Sequence, residues 1–174
     1  MSEAKNRVNW CLKKAKKELK ASTRHRGLVK AKPNLEEAKK HIAKAEHNFK
    51  AALNFEKTGF SDWSVSAAFY TIYHCFLATL VKFGYESRNQ ECTIALIEQF
   101  NEEGKTSTSK EIIEAVKAVD TEERHETNVI SLRENFQYGT ETSIEDKKLE
   151  ELKKLCRQAM DETKKIIYKQ IILN

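Results

Sequence analysis

Residues that break regular backbone are almost absent from this sequence: it has a single proline, Pro33, and five glycines in 174 residues. Tight reversals draw on Gly, Pro and Asn, so a chain this poor in them is badly suited to the many turns of an all-β fold or the repeated loops of a doubly wound one. Lys, Glu, Ala and Leu take their place, the residues that lose least on entering a helix. Helices are therefore expected throughout. A chain of this length can remove about 70% of its surface from water, so it needs no metal or disulfide to hold a core.

The charge is unevenly placed. Of a formal net +5, residues 1 to 33 carry eleven Lys and Arg against Glu3 and Glu18, a local +9, which leaves −4 for residues 34 to 174. Two units follow: a basic N-terminal helix and linker over 1–33, and a helical body over 34–174. In the first, Val8, Leu12, Ala15 and Leu19 step by four, three and four, a thin apolar stripe. Lys13, Lys14, Lys16, Lys17 and Lys20 take the other faces. Residues 22–33, with Arg24, His25, Arg26 and Gly27, show no period and read as a mobile linker. A polybasic helix can neutralise nucleic-acid phosphates, with Trp10 as the one aromatic available for stacking. The simpler reading is a solvated helix docked through its stripe. An anionic membrane surface fits least, because the stripe is thin.

Asn34, directly after Pro33 and three residues before Glu37, predicts a helix start. Leu35, Ala38, Ile42, Ala45, Phe49 and Ala52 then give one bundle face. Ser61 predicts the cap and Gly84 the stop of a second helix, apolar over more than half its circumference (Val65, Ala68, Phe69, Ile72, Tyr73, Phe76, Leu77, Leu80, Val81) and so placed centrally. Shorter helices are expected over 91–101, through Ile94, Leu96, Ile97 and Phe100, and over 110–119, through Ile112, Ile113, Val116 and Val119. Between 121 and 139, Val129, Ile130, Leu132 and Phe136 fit a helix better than a strand. Ser143, with Asp146 three residues on, predicts the last helix, whose Leu149, Leu152, Cys156, Ala159, Thr163 and Ile166 pair it with the first body helix. The fold class is all-α: an antiparallel up-and-down bundle of four to five helices with an extra N-terminal basic helix.

No run matches the ~20 apolar residues of a bilayer span, and the first residues lack the apolar core of a secretion signal, so the chain reads as cytoplasmic and without membrane contact. Cys11, Cys75, Cys92 and Cys156 lie far apart, with no metal-finger spacing, and read as reduced core thiols. No cofactor or metal is implied, and Gly-rich phosphate loops, His-Glu-x-x-His and Gly-x-Ser-x-Gly are absent from the sequence. Four groupings remain. His74 lies one turn after Tyr70, able to bind phosphate or simply to satisfy its neighbour. Glu122, Glu123, Arg124, His125 and Glu126 read as a solvated turn rather than a metal site. His41 and His47 sit on an exposed flank with no role. Arg133, Glu134 and Tyr138 can present a phosphate fork beside a hydroxyl, the alternative being an Arg133 ion pair with Glu134 or Asp146 and a Tyr138 that packs the helix junction.

Two stretches carry a resemblance. Ala45-Glu46-His47-Asn48-Phe49, followed by Ser64-Val65-Ser66-Ala67-Ala68-Phe69-Tyr70, is similar to the small-residue and paired-aromatic region of the small stand-alone prokaryotic members of the HEPN superfamily, helical domains associated with nucleotide binding. Leu132-Arg133-Glu134-Asn135-Phe136-Gln137-Tyr138-Gly139 resembles that family's Arg motif. The resemblance implies a bundle that pairs as a homodimer, with both Arg motifs lining a shared cleft. It also implies metal-free RNA cleavage where the Arg is followed four to six residues later by His. Arg133 matches the Arg, but Tyr138, Gly139 and Thr140 stand where the His belongs. A phenol with pKa near about 10 is a poor general base beside an imidazole near about 6.5. The expectation is a dimeric RNA- or nucleotide-binding module without nuclease activity. The alternatives are an endoribonuclease toxin of a HEPN/nucleotidyltransferase toxin-antitoxin pair, with Tyr138 or His74 as base, and a non-catalytic partner of a nucleotidyltransferase-like protein.

Overall fold

The computed structural model describes residues 2–117 and 129–168. Among them are helices α1 (Glu3–Ala21), α2 (Leu35–Lys57), α3 (Ser61–Lys82), α4 (Gln90–Glu102), α5 (Lys110–Val116), α6 (Val129–Tyr138) and α7 (Asp146–Tyr168), with two three-residue strands, β1 (Leu28–Lys30) and β2 (Tyr85–Ser87). The fold is predominantly helical, as expected. Among the described residues the body contributes six helices, α5 and α6 being short separate elements beside the longer ones.

The α2–α3 hairpin is the frame. Asn34 caps α2 through its side-chain oxygen, which accepts from the Glu37 N–H at 2.9 Å. Gly59, at φ 84°, turns the chain into α3. Ser64 then donates its hydroxyl to the Ala52 carbonyl at 2.8 Å, tying the two helices at the turn. Val65, Ala68, Phe69, Ile72, Phe76 and Leu80 of α3 are buried, and Ile94, Leu96, Ile97 and Phe100 of α4 join them. The cap of α3 is corrected: Phe60 holds that position, and Ser61 instead accepts the Ile144 N–H at 3.2 Å, fastening the loop before α7. That loop also delays α7, which begins at Asp146 rather than at Ser143.

α7 packs chiefly on α3 and less on α2, which corrects the expected pairing. Its Leu149, Leu152, Cys156, Ala159 and Thr163 are buried as the spacing implied, and the more apolar α3 offers the larger surface to cover. The α2 contact is polar at its edges, with Lys153 to Glu56 at 2.8 Å and Lys164 to Glu46 at 2.7 Å. By length and mean hydropathy α3 does qualify as a membrane-crossing helix, contrary to the reading of its sequence, yet 61% of its apolar window is buried by the rest of the protein. The polar residues interspersed along it hid that property.

The N-terminal segment departs most from expectation. Residues 22–33 do not form a mobile linker: β1 pairs antiparallel with β2, Leu28 opposite Ser87 and Lys30 opposite Tyr85. Gly84, at φ 80°, makes the turn into β2 and lies so close to Ala31 and Pro33 that a Cβ there would meet the Ala31 carbonyl oxygen at 2.8 Å. α1 docks through Ala4, Val8, Cys11 and Ala15, while Leu19 is exposed. Cys11 and Cys92 are joined in a disulfide between α1 and α4, which corrects the reading of four reduced thiols. Cys75 and Cys156 remain free and buried, and burial pushes the Cys75 thiol up to about 12. The segment 122–126 lies outside the described residues.

Candidate functional site

α6 lies against α3. Val129 is fully buried, Leu132 and Phe136 pack against the core, and the repeat that seats them turns Arg133 toward α3 as well. Its guanidinium carbon sits 4.5 Å from the centre of the Phe69 ring. A planar cation over an aromatic face is attracted by the ring quadrupole, and the attraction grows as water is excluded. Water is largely excluded here, since the Arg133 side chain keeps 18% of its exposure. Among the described residues its one ion pair, to Glu134, is long at 4.0 Å, and its Nε is buried with no hydrogen-bond partner. A buried unsatisfied donor costs about 1–3 kcal/mol. Arg133 is thus held by packing, with hydrogen-bonding capacity to spare.

Tyr138 is not beside it. Five residues further along the helix a side chain is turned by about 140°, and Tyr138 is 79% exposed, neither facing Arg133 nor packing a helix junction. Tyr138 lines a shallow groove with Glu134, Asn135, Gly139, Thr140 and Glu141. Two carboxylates make that groove a poor phosphate site. Arg133 and Tyr138 therefore do not form the single fork that their sequence proximity implied.

Tyr70 flanks Arg133's platform: its ring is 5.2 Å from that of Phe69 and is about half exposed. His74 does not bond to Tyr70. Its Nδ1 lies 2.9 Å from Nδ1 of His41 on α2, which corrects both the His74–Tyr70 pairing and the assignment of His41 to an exposed flank without a role. Burial, then the neighbouring His41 and Lys44, lower His74 to about 4, and burial lowers His41 too. A base this weak is mostly unable to hold an abstracted proton at neutral pH.

On α1, Lys13, Lys16, Lys17 and Lys20 are exposed, and Lys14 lies over the Trp10 ring at 5.0 Å. A cleft of about 350 Å³ opens between α1, α4 and α5, lined by Glu3, Arg7, Glu98, Glu102, Lys110 and Lys117 among others, and it takes in none of the residues singled out from sequence. Among the described residues no three His, Cys, Asp or Glu side chains gather to hold a metal ion.

Sequence reasoning missed Phe69 as Arg133's platform and His41 as His74's partner. Phe69 had a signal, being one of two adjacent aromatics on α3, but its apolar spacing assigned it wholly to the core. The His41 pairing had none, because it depends on how α2 and α3 face each other across 33 residues.

Together these features define an all-α bundle with a central apolar helix and a half-buried Arg on a short penultimate helix. The sequence model of the HEPN domain matches residues 38–167, from the first turn of α2 to the last turn of α7, and the chain belongs to that family. Membership suggests a nucleotide- or RNA-related function. No curated protein matches the chain. α1 and β1 lie outside the matched residues.

Proposed function

We propose that the protein is a homodimeric HEPN module that binds RNA or a nucleotide in a groove between two copies, with Arg133 of each copy as its phosphate contact, and that it does not cut RNA. One observation carries the reading: Arg133 is stacked on Phe69 and its ion pair to Glu134 is long at 4.0 Å, so an anion reaching the guanidinium gains a charge-assisted hydrogen bond that no described residue already supplies. The dimer is supported by α3, where Trp63 and Tyr70 stand about half exposed on one helical stripe next to that platform, with Phe60 exposed just before the helix. Clustered aromatics of this kind are typical of the core of a protein interface. Absence of cleavage is supported by the residues after Arg133 and by the weak basicity of His74.

The test uses a fluorescent RNA dinucleotide, shorter than the about 4 nucleotides of the smallest extended single-strand sites, with binding read by anisotropy and mass by light scattering. Arg133→Glu abolishes binding while far-UV circular dichroism stays unchanged. Unchanged affinity in that variant overturns the groove. Cleavage of a mixed RNA pool, with or without divalent metal, overturns the binding-only reading in favour of the endoribonuclease. A dimer that binds no nucleotide leaves the role of structural partner to a nucleotidyltransferase-like protein.

A further inference from the structure

α1 carries its charge and its docking surface on opposite sides. At 100° per residue, Ala4, Val8, Cys11 and Ala15 fall within one narrow sector, and all four are buried. Lys13, Lys16, Lys17 and Lys20 fall within a sector of about 100° on the far side, and all four are exposed. None of these lysines forms an ion pair among the described residues. The nearest carboxylate along the helix, Glu18, is turned away and accepts the Arg26 backbone N–H at 2.6 Å. Trp10 borders the same face, 54% exposed, with the Lys14 ammonium over one side of its ring at 5.0 Å from the centroid.

A solvated helix needs no fixed orientation, but this one is fixed three times over. The Cys11–Cys92 disulfide joins it to α4, the β1–β2 ribbon holds the chain that leaves it, and Gly27 lies so close that a Cβ there would meet the Cys11 carbonyl oxygen at 2.6 Å. The lysines are thereby held at constant spacing, outward, on a protein whose residues 34–174 sum to −4.

We propose that this face is a docking surface for single-stranded nucleic acid: the four lysines neutralise consecutive backbone phosphates and Trp10 stacks on an unpaired base. It lies outside the residues matched to the family and requires neither Arg133 nor a second copy. Single strands fit better than duplex because a paired base offers Trp10 no open face, and base–aromatic stacking contributes about 1–3 kcal/mol. α1 is 19 residues long, about 28 Å, which accommodates a site toward the short end of the about 4–16 nucleotides usual for such surfaces. An anionic membrane fits less well. Insertion needs a continuous apolar face, and here Trp10 and Leu19 lie on opposite borders of the basic sector.

The experiment titrates a fluorescent single-stranded 20-mer, as RNA and as DNA, against the full-length protein over a range of salt. Wild type is compared with Lys13→Gln/Lys16→Gln/Lys17→Gln/Lys20→Gln, Trp10→Ala and Arg133→Glu. Each phosphate contact on a single strand contributes about −0.7 to the slope of log affinity against log salt, so the quadruple variant flattens the slope by about 2 to 3 and loses at least about tenfold in affinity. Trp10→Ala weakens binding with the slope unchanged, and Arg133→Glu keeps most of the 20-mer affinity. Circular dichroism and a count of free thiols establish that α1 remains docked. An unchanged slope in the quadruple variant overturns the proposal, as does binding to anionic vesicles with none to the 20-mer. Loss of 20-mer binding in Arg133→Glu alone overturns it too, while leaving the groove intact; loss of only the dinucleotide in that variant leaves both surfaces standing.

Discussion

His41 and His74 approach through their Nδ1 atoms at 2.9 Å, and one hydrogen at most can lie between them. Both are pushed below the ordinary imidazole value, His74 to about 4. Between that value and about 6.5 the unfolded chain takes up protons that the folded pair refuses, so their contribution to stability is full above pH ~6.5 and drains away as pH falls toward 4. The thermal midpoint should therefore decline on acidification from pH 7 to 4.5, and His74→Gln should make that decline shallower. An identical decline in both proteins, followed by differential scanning fluorimetry, would show that the pair does not titrate this way. Little of this was legible in the sequence, where the polar group one turn before His74 on its own helix is Tyr70. A residue's environment is set by the opposite helix, and the same limit hid Arg133's seat on Phe69.

Elements were legible where their causes are local. Asn34 as a cap, Gly84 as a stop and most of the faces of α2, α4 and α7 follow from residues within a few positions of one another, although Leu35 is exposed and Ile167, not Ile166, is buried at the end of α7. The ribbon and the disulfide were not, because each depends on segments far apart in the chain, Cys11 and Cys92 being separated by 81 residues. Closing a loop of that length restricts the unfolded chain by about 4–5 kcal/mol in the chain-entropy account. Reductant should accordingly lower the urea midpoint of the wild type and leave that of Cys11→Ser unchanged, and equal shifts in the two would refute the linkage. Gly27 allows a sharper probe of the same junction. In Gly27→Ala the new methyl meets the Cys11 carbonyl oxygen at 2.6 Å and the Ala15 Cβ at 3.1 Å, so α1 and the ribbon must separate. A loss of about 1–3 kcal/mol in the urea midpoint is expected, the usual range for overpacking. A variant as stable as the wild type would mean that the approach is looser than these distances.

At the scale of the whole molecule, the bundle was legible in the sequence as a class, since one broadly apolar helix has to be surrounded. Its pairing was less so, because α7 follows the larger apolar surface of α3. The open stripe on α3 gives the proposed dimer a direct test. Trp63→Glu combined with Tyr70→Glu should yield a monomer of unchanged helicity by light scattering and circular dichroism. If this double variant sediments as the wild type does, these aromatics are not the seam. The covalent link between α1 and α4 has one more consequence. It makes residues 11–92 a macrocycle that contains the whole α2–α3 frame. A protease cut anywhere inside the ring opens a circle instead of releasing a fragment, so a nicked molecule keeps its two pieces together until the sulfur–sulfur bond is also broken.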